Sequence, residues 1–168
     1  LTTEIDVTGV AEDATRLCDL MDGVLERVAS VFQSYNVNLP TRQYWTLGTP
    51  VVDCEQLVVF CTQLYLGPPG DQASRPVRCN VPRSATLSVS VSRATPTVGA
   101  GGRPPSAQKI ELGSRASAID LWVLLESVNL LDQWDDTGYG IGVIATAEAD
   151  EPQGGFQTVT LQITMAVP

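Results

Sequence analysis

Not one of the 168 residues is histidine. The chain therefore lacks the only side chain whose ordinary pKa lies between pH 5 and 8. Ser–His–Asp and Cys–His nucleophile pairs are excluded on inventory, and so is the H-E-x-x-H zinc motif. Basic residues are scarce as well, 10 against 19 acidic ones, for a net charge of −9. Neutralising phosphates takes clustered Lys and Arg, so nucleic-acid binding is not expected. The acidity serves solubility, or it keeps a surface from sticking to DNA that passes nearby; both readings stay open. No apolar run approaches the roughly 18 residues of a membrane-spanning helix, and none is expected. The first residues, Leu1-Thr-Thr-Glu-Ile-Asp6, lack the basic-then-apolar layout of a signal peptide.

Cysteine is limited to Cys18, Cys54, Cys61 and Cys79, too few and too scattered for a disulfide scaffold. No C-x-x-C occurs. Reduced, buried thiols are expected, with a four-thiolate zinc site as the alternative. The glycine-rich stretch Gly99-Ala-Gly-Gly-Arg-Pro-Pro105 has no G-K-[ST] and leads into prolines, so it does not read as a phosphate loop. No catalytic residue, metal or cofactor is expected.

What is present is strong patterning. From Ala85, the residues Leu87, Val89 and Val91 alternate with Thr86, Ser88, Ser90 and Ser92. A side-chain period of two predicts a strand over about 84–95. Its second face carries four hydroxyls and no charge, which suggests a face that meets another protein surface. Leu57-Val-Val-Phe-Cys61 is apolar at every position, fitting a strand covered on both faces within a segment at about 55–65. Further strands are predicted at about 43–48, 140–148 and 156–167. On the last, Val159, Leu161, Ile163, Met165 and Val167 face inward.

Two helices complete the pattern. About residues 12–34 carry an apolar stripe through Ala14, Leu17, Cys18, Met21, Val24, Leu25, Val28, Phe32 and Tyr35. Glu4, Asp6, Glu12 and Asp13 lie at or before its first turn, where the helix dipole favours negative charge. The second helix, about 106–131, opens just after Pro105. Its expected stripe is Ile110, Ala118, Leu121, Trp122, Leu125 and Val128, which makes Trp122 a core residue, as Trp45 is expected to be. The fold class is α+β: a single domain with an antiparallel sheet of four to five strands and two main helices packed on one face. Exposed loops are expected at about 66–83, 96–105 and 149–155.

Candidate functional residues lie mostly in those loops. Arg75, Arg78 and Arg83 form the one basic cluster. It is either a solvated loop or a docking patch for carboxylates on a neighbouring subunit, which Arg forks bidentately. Arg103 sits in the Pro/Gly connector; Glu148, Asp150 and Glu151 sit in the last hairpin. All are interface candidates. Trp134, among carboxylates, is either a core residue like the other two tryptophans or an exposed interface anchor.

Asp53-Cys-Glu-Gln-Leu-Val-Val59, Cys79-Asn-Val-Pro-Arg-Ser-Ala-Thr-Leu87 and Gly154-Gly-Phe-Gln-Thr-Val-Thr-Leu161 resemble small neck and tail proteins of long-tailed actinobacterial phages. Within these, the chain looks like the tail terminator group of mycobacteriophage-like siphoviruses. The resemblance implies a non-enzymatic virion structural protein, located in the tail neck and assembled in the host cytoplasm. It implies a homohexameric ring that caps the tail tube, ends its polymerisation and joins it to the head-side connector. The implied partners are sister copies, the major tail tube protein and a head-to-tail stopper or connector protein. DNA passes through the lumen without specific binding, and no membrane is involved. A head-to-tail adaptor or stopper of the same neck is the alternative, and a cytoplasmic ligand-binding domain a further one.

Asp132-Gln-Trp-Asp-Asp-Thr-Gly-Tyr-Gly140 holds three carboxylates and two glycines, but its spacing is not that of a calcium loop and no bidentate Glu follows. It reads as a helix end turning into a strand. A thermal melt should accordingly show the same midpoint with and without Ca²⁺; an upward shift would make this segment a metal loop.

Overall fold

The computed structural model describes residues 8–69, 83–98, 102–129 and 144–167. Helix α1 (Thr8–Ser34) leads into strand β1 (Arg42–Leu47) and strand β2 (Gln56–Leu66). Strand β3 (Arg83–Ala94), helix α2 (Ala107–Asn129), strand β4 (Ile144–Ala149) and strand β5 (Phe156–Val167) follow. The five strands form one sheet in the order β1-β2-β3-β5-β4. The class is α+β as the patterning implies, but the sheet is mixed. Three of its pairings are antiparallel, whereas β1 runs parallel to β2, with Arg42 opposite Gln56. Parallel neighbours need a crossover rather than a hairpin, and residues 48–55 supply it.

Alternation sorts the sheet cleanly. Leu57 and Val59 of β2, Leu87, Val89 and Val91 of β3, and Val159, Leu161, Ile163 and Met165 of β5 share one face. Both helices pack there: Leu20, Met21, Val24, Val28 and Phe32 of α1, with Val123 and Leu124 of α2, complete the core. The middle of the α1 stripe falls where its periodicity places it, but Ala14 and Tyr35 at its two ends are exposed. The helix starts earlier than expected, at Thr8, so its first turn holds no acid; Glu12 and Asp13 lie one turn further in. Trp45 on β1 packs partly buried against the core, and its Nε1–H donates to Asp22 of α1 at 2.7 Å. Strand β3 is the middle of the five, with two strands on either side, and nine of its twelve residues are buried.

Two expectations fail here. The hydroxyl face of β3 is not open surface: Ser84, Thr86, Ser88, Ser90 and Ser92 are buried within the chain. The crossover lies on this side of the sheet, where Gln56 Nε2 donates to the Val51 carbonyl at 2.9 Å. Cross-strand hydroxyl pairs, Thr86 with Thr164 at 3.2 Å and Ser92 with Thr158 at 2.9 Å, meet part of the demand. The second failure is the rotation of α2. Its buried residues are Ser117, Asp120, Val123, Leu124 and Ser127, while Trp122 is 72% exposed and Ile110, Ala118 and Leu125 are exposed too.

The cause is an ion pair. Arg93, near the end of β3, donates from Nε to Asp120 Oδ2 at 2.5 Å and from a terminal nitrogen to Oδ1 at 2.8 Å. The same group reaches the Asn38 carbonyl at 2.8 Å, tying in the segment after α1. The bidentate bond to Asp120 raises the Arg93 pKa above its ordinary value, against the opposing effect of burial. Small residues let α2 approach with its polar side. A Cβ on Gly113 would already sit 3.6 Å from Pro96, and the Ser127 hydroxyl bonds back to the Val123 carbonyl at 2.8 Å.

Asp120→Ala should therefore destabilise the chain by about 3 kcal/mol, since it strands a half-buried guanidinium. Glu111→Ala, which breaks an exposed i,i+4 pair with Arg115, should cost under about 0.5 kcal/mol. Urea unfolding of the two variants checks the contrast; equal losses would mean that Arg93 is satisfied without Asp120.

Candidate functional site: an exposed apolar flank and an acidic cleft

Two surface features stand out, one on each face of the sheet. The first follows from the rotation of α2. With Asp120 turned inward, Ile110, Ala118 and Leu121 line the flank of the helix towards β4. Ile110, Ala118 and Leu121 form a groove of about 350 Å³ with Pro96, Ala149 and Pro152. Trp122 and Leu125 stand beyond it in solvent. Beside this flank runs β4, which pairs only with β5 among the described strands. A sheet edge presents unpaired N–H and C=O groups, and an exposed tryptophan beside one is the composition of an interface.

The second feature is a cleft of about 670 Å³ on the opposite face. The crossover, through Thr49, Pro50 and Val52, makes one wall, and the β4–β5 turn, through Asp150, Glu151 and Gln153, makes the other. Phe60, Ser90, Thr158 and Thr160 form the floor. The turn is held by its own backbone: Asp150 N–H donates to the Thr158 carbonyl and Gln153 N–H to the Phe156 carbonyl, each at 2.9 Å. Gly154 and Gly155 both adopt positive φ, 58° and 86°, the left-handed geometry this tight reversal requires. Thr160 Oγ1 donates to Asp150 Oδ2 at 2.9 Å, aiming that carboxylate across the floor. Ser90 is 3% exposed, and its Oγ has no hydrogen-bond partner.

The sequence-derived candidates divide accordingly. Asp150 and Glu151 come together in the cleft wall, and Glu148 is exposed on β4 next to them. Arg103 is exposed in the connector before α2 and has no ion-pair partner among the described residues. Arg83 is ion-paired to Asp13 of α1 while its side chain stays half exposed. Arg75, Arg78, Trp134 and the acidic segment 132–140 lie outside the described residues, as does Cys79. Sequence reasoning missed Trp122, Leu125 and Ser90. Asp120, an acid in the middle of an apolar helix, was the signal that could have turned α2 the right way.

Chemistry at the thiols is muted. Cys18, Cys54 and Cys61 are free. Burial raises the Cys61 pKa, only partly opposed by a backbone hydrogen bond with Gln63, so Cys61 stays a thiol at neutral pH. Among the described residues no group of three or more His, Cys, Asp or Glu is placed to hold a metal. No described helix is long and apolar enough to cross a membrane. No family model matches the chain, and no curated protein matches it.

Ser90→Ala should leave stability unchanged or raise it by about 1 kcal/mol, because an unsatisfied buried hydroxyl is removed. Chemical denaturation measures this. A loss exceeding 1 kcal/mol, as for a satisfied hydroxyl, would show that Ser90 is bonded in solution.

Proposed function

We propose that this chain is a non-enzymatic structural protein of a phage head–tail neck. Sister copies join in a ring, expected to hold six, which caps the tail tube, ends its growth and meets the head-side connector. The observation that carries the assembly part is the rotation of α2, which buries Ser117, Asp120 and Ser127 beside Val123 and Leu124 and leaves Ile110, Trp122 and Leu125 exposed. Such a surface is costly for a chain that stays alone. Its position beside the β4 edge suits a contact with a second copy. A closed ring needs a head-to-tail contact between two different patches, and the sheet has two different edges, β1 and β4. The neck itself rests on the resemblance of the 53–59, 79–87 and 154–161 segments. The net charge of −9 supports a lumen through which DNA slides without binding.

Trp122→Ser and Leu125→Ser, separately and together, test the ring. Both side chains are exposed, so the monomer should melt within about 3 °C of wild type. Native mass spectrometry, alone and with purified tail tubes, should show wild-type rings and association weakened about 30-fold per hot-spot residue. Rings that survive both substitutions would remove the α2 flank from the contact. Imaging of assembled particles decides terminator against adaptor or stopper: density next to the portal instead of the tube would favour the latter.

A further inference from the structure

The acidic cleft is built for a basic side chain. Its carboxylates, Asp150 and Glu151, have no cationic partner among the described residues. Its floor holds the buried, unpartnered Ser90 hydroxyl. Pro50, Val52 and Phe60 give apolar contact for an aliphatic stem. A ligand with a methylene stem and a terminal group of N–H donors matches all three: carboxylates accept at the mouth, Ser90 Oγ accepts at the floor, and the stem lies on the apolar wall. A guanidinium fits best, having five donors in a fixed fork and weak hydration.

The chain itself carries such a group. Of the described arginines, Arg42, Arg83, Arg93 and Arg115 are each ion-paired internally and Arg16 and Arg27 are engaged too, whereas Arg103 is exposed and has no partner among the described residues. It stands between Gly102, at a φ of 75°, and Pro104-Pro105. The prolines stiffen the segment behind it, so Arg103 is presented on a rigid stalk that loses little entropy on docking. We infer that Arg103 of one copy inserts into the Asp150–Glu151–Ser90 cleft of the next copy. This assignment rests on the homo-oligomer reading above and supplies its second, charge-paired contact. Cleft and stalk are different patches of one chain, as a head-to-tail contact requires.

Two measurements test it. In the first, the peptide acetyl-Gly-Gly-Arg-Pro-Pro-amide is titrated into the full chain by amide NMR. Shifts should centre on Ser90, Gln153 and Thr158, vanish in Asp150→Asn/Glu151→Gln, and be absent for the same peptide carrying Glu in place of Arg. Scattered shifts, or equal shifts with the Glu peptide, would overturn the site. Ser90→Ala should weaken the peptide without loss of fold; unchanged binding would remove Ser90 from it.

In the second, native mass spectrometry with tail tubes compares Arg103→Glu, Asp150→Lys/Glu151→Lys and their combination. Each reversal should weaken association about tenfold or more, and the combination should recover part of it. Rings indifferent to all three would sink the Arg103 contact while leaving the ring intact. Peptide binding with no ring under any condition would sink both the ring and the second copy as occupant.

Discussion

The bidentate bond between Arg93 and Asp120 governs how the rest of the molecule presents itself. A carboxylate on the inner side of a helix is tolerated only when its charge is matched and its oxygens are bonded. Arg93 does both, and it reaches the Asn38 carbonyl as well. One cation thus joins β3, α2 and the segment after α1. Rotating α2 to bury Trp122 and Leu125 would carry Asp120 into solvent and leave Arg93 without its partner. The pair therefore trades apolar burial on α2 for a fixed helix rotation, and the displaced apolar residues become surface.

The two faces of the sheet do different work. On one, the core is conventional, with α1 supplying most of the helical burial and Trp45 tethered to it through Asp22. On the other, there is no helix among the described residues; an eight-residue crossover and the β4–β5 turn flank a polar floor. Hydroxyls suit such a floor because cross-strand pairs such as Ser92 with Thr158 satisfy them locally. Ser90 is the exception, and it lies where the crossover and the turn stand apart. A charged turn on one wall and an apolar wall opposite make this cleft selective for a cation on a stem. A contact using the α2 flank and another using the cleft would engage both faces of the sheet, which favours a directional chain of copies over a symmetric pair.

Much of the architecture was legible as periodicity. The alternation in β3 and β5 and the three-and-four spacing in α1 each report a local geometry that repeats within a few residues, so the elements emerged with correct identity and nearly correct limits. The all-apolar run in β2 correctly implied cover on both faces. The candidate site was legible only in part. Asp150, Glu151 and Arg103 stood out by charge in turn-forming stretches, but Trp122 was assigned to the core because counting apolar residues gives α2 the wrong side. Arg83 looked available because its partner, Asp13, lies 70 positions away.

The sequence by itself determined the elements, their order, the acidic balance and the lack of histidine chemistry, because each depends on composition or on neighbours within a few residues. The tertiary structure decided the parallel β1–β2 pair, the rotation of α2, the fate of the β3 hydroxyls and the placing of Ser90 and Asp150 in one cleft. Each of these turns on contacts between distant segments, where one buried ion pair or one crossover outweighs the summed local preferences of the helix or strand it constrains.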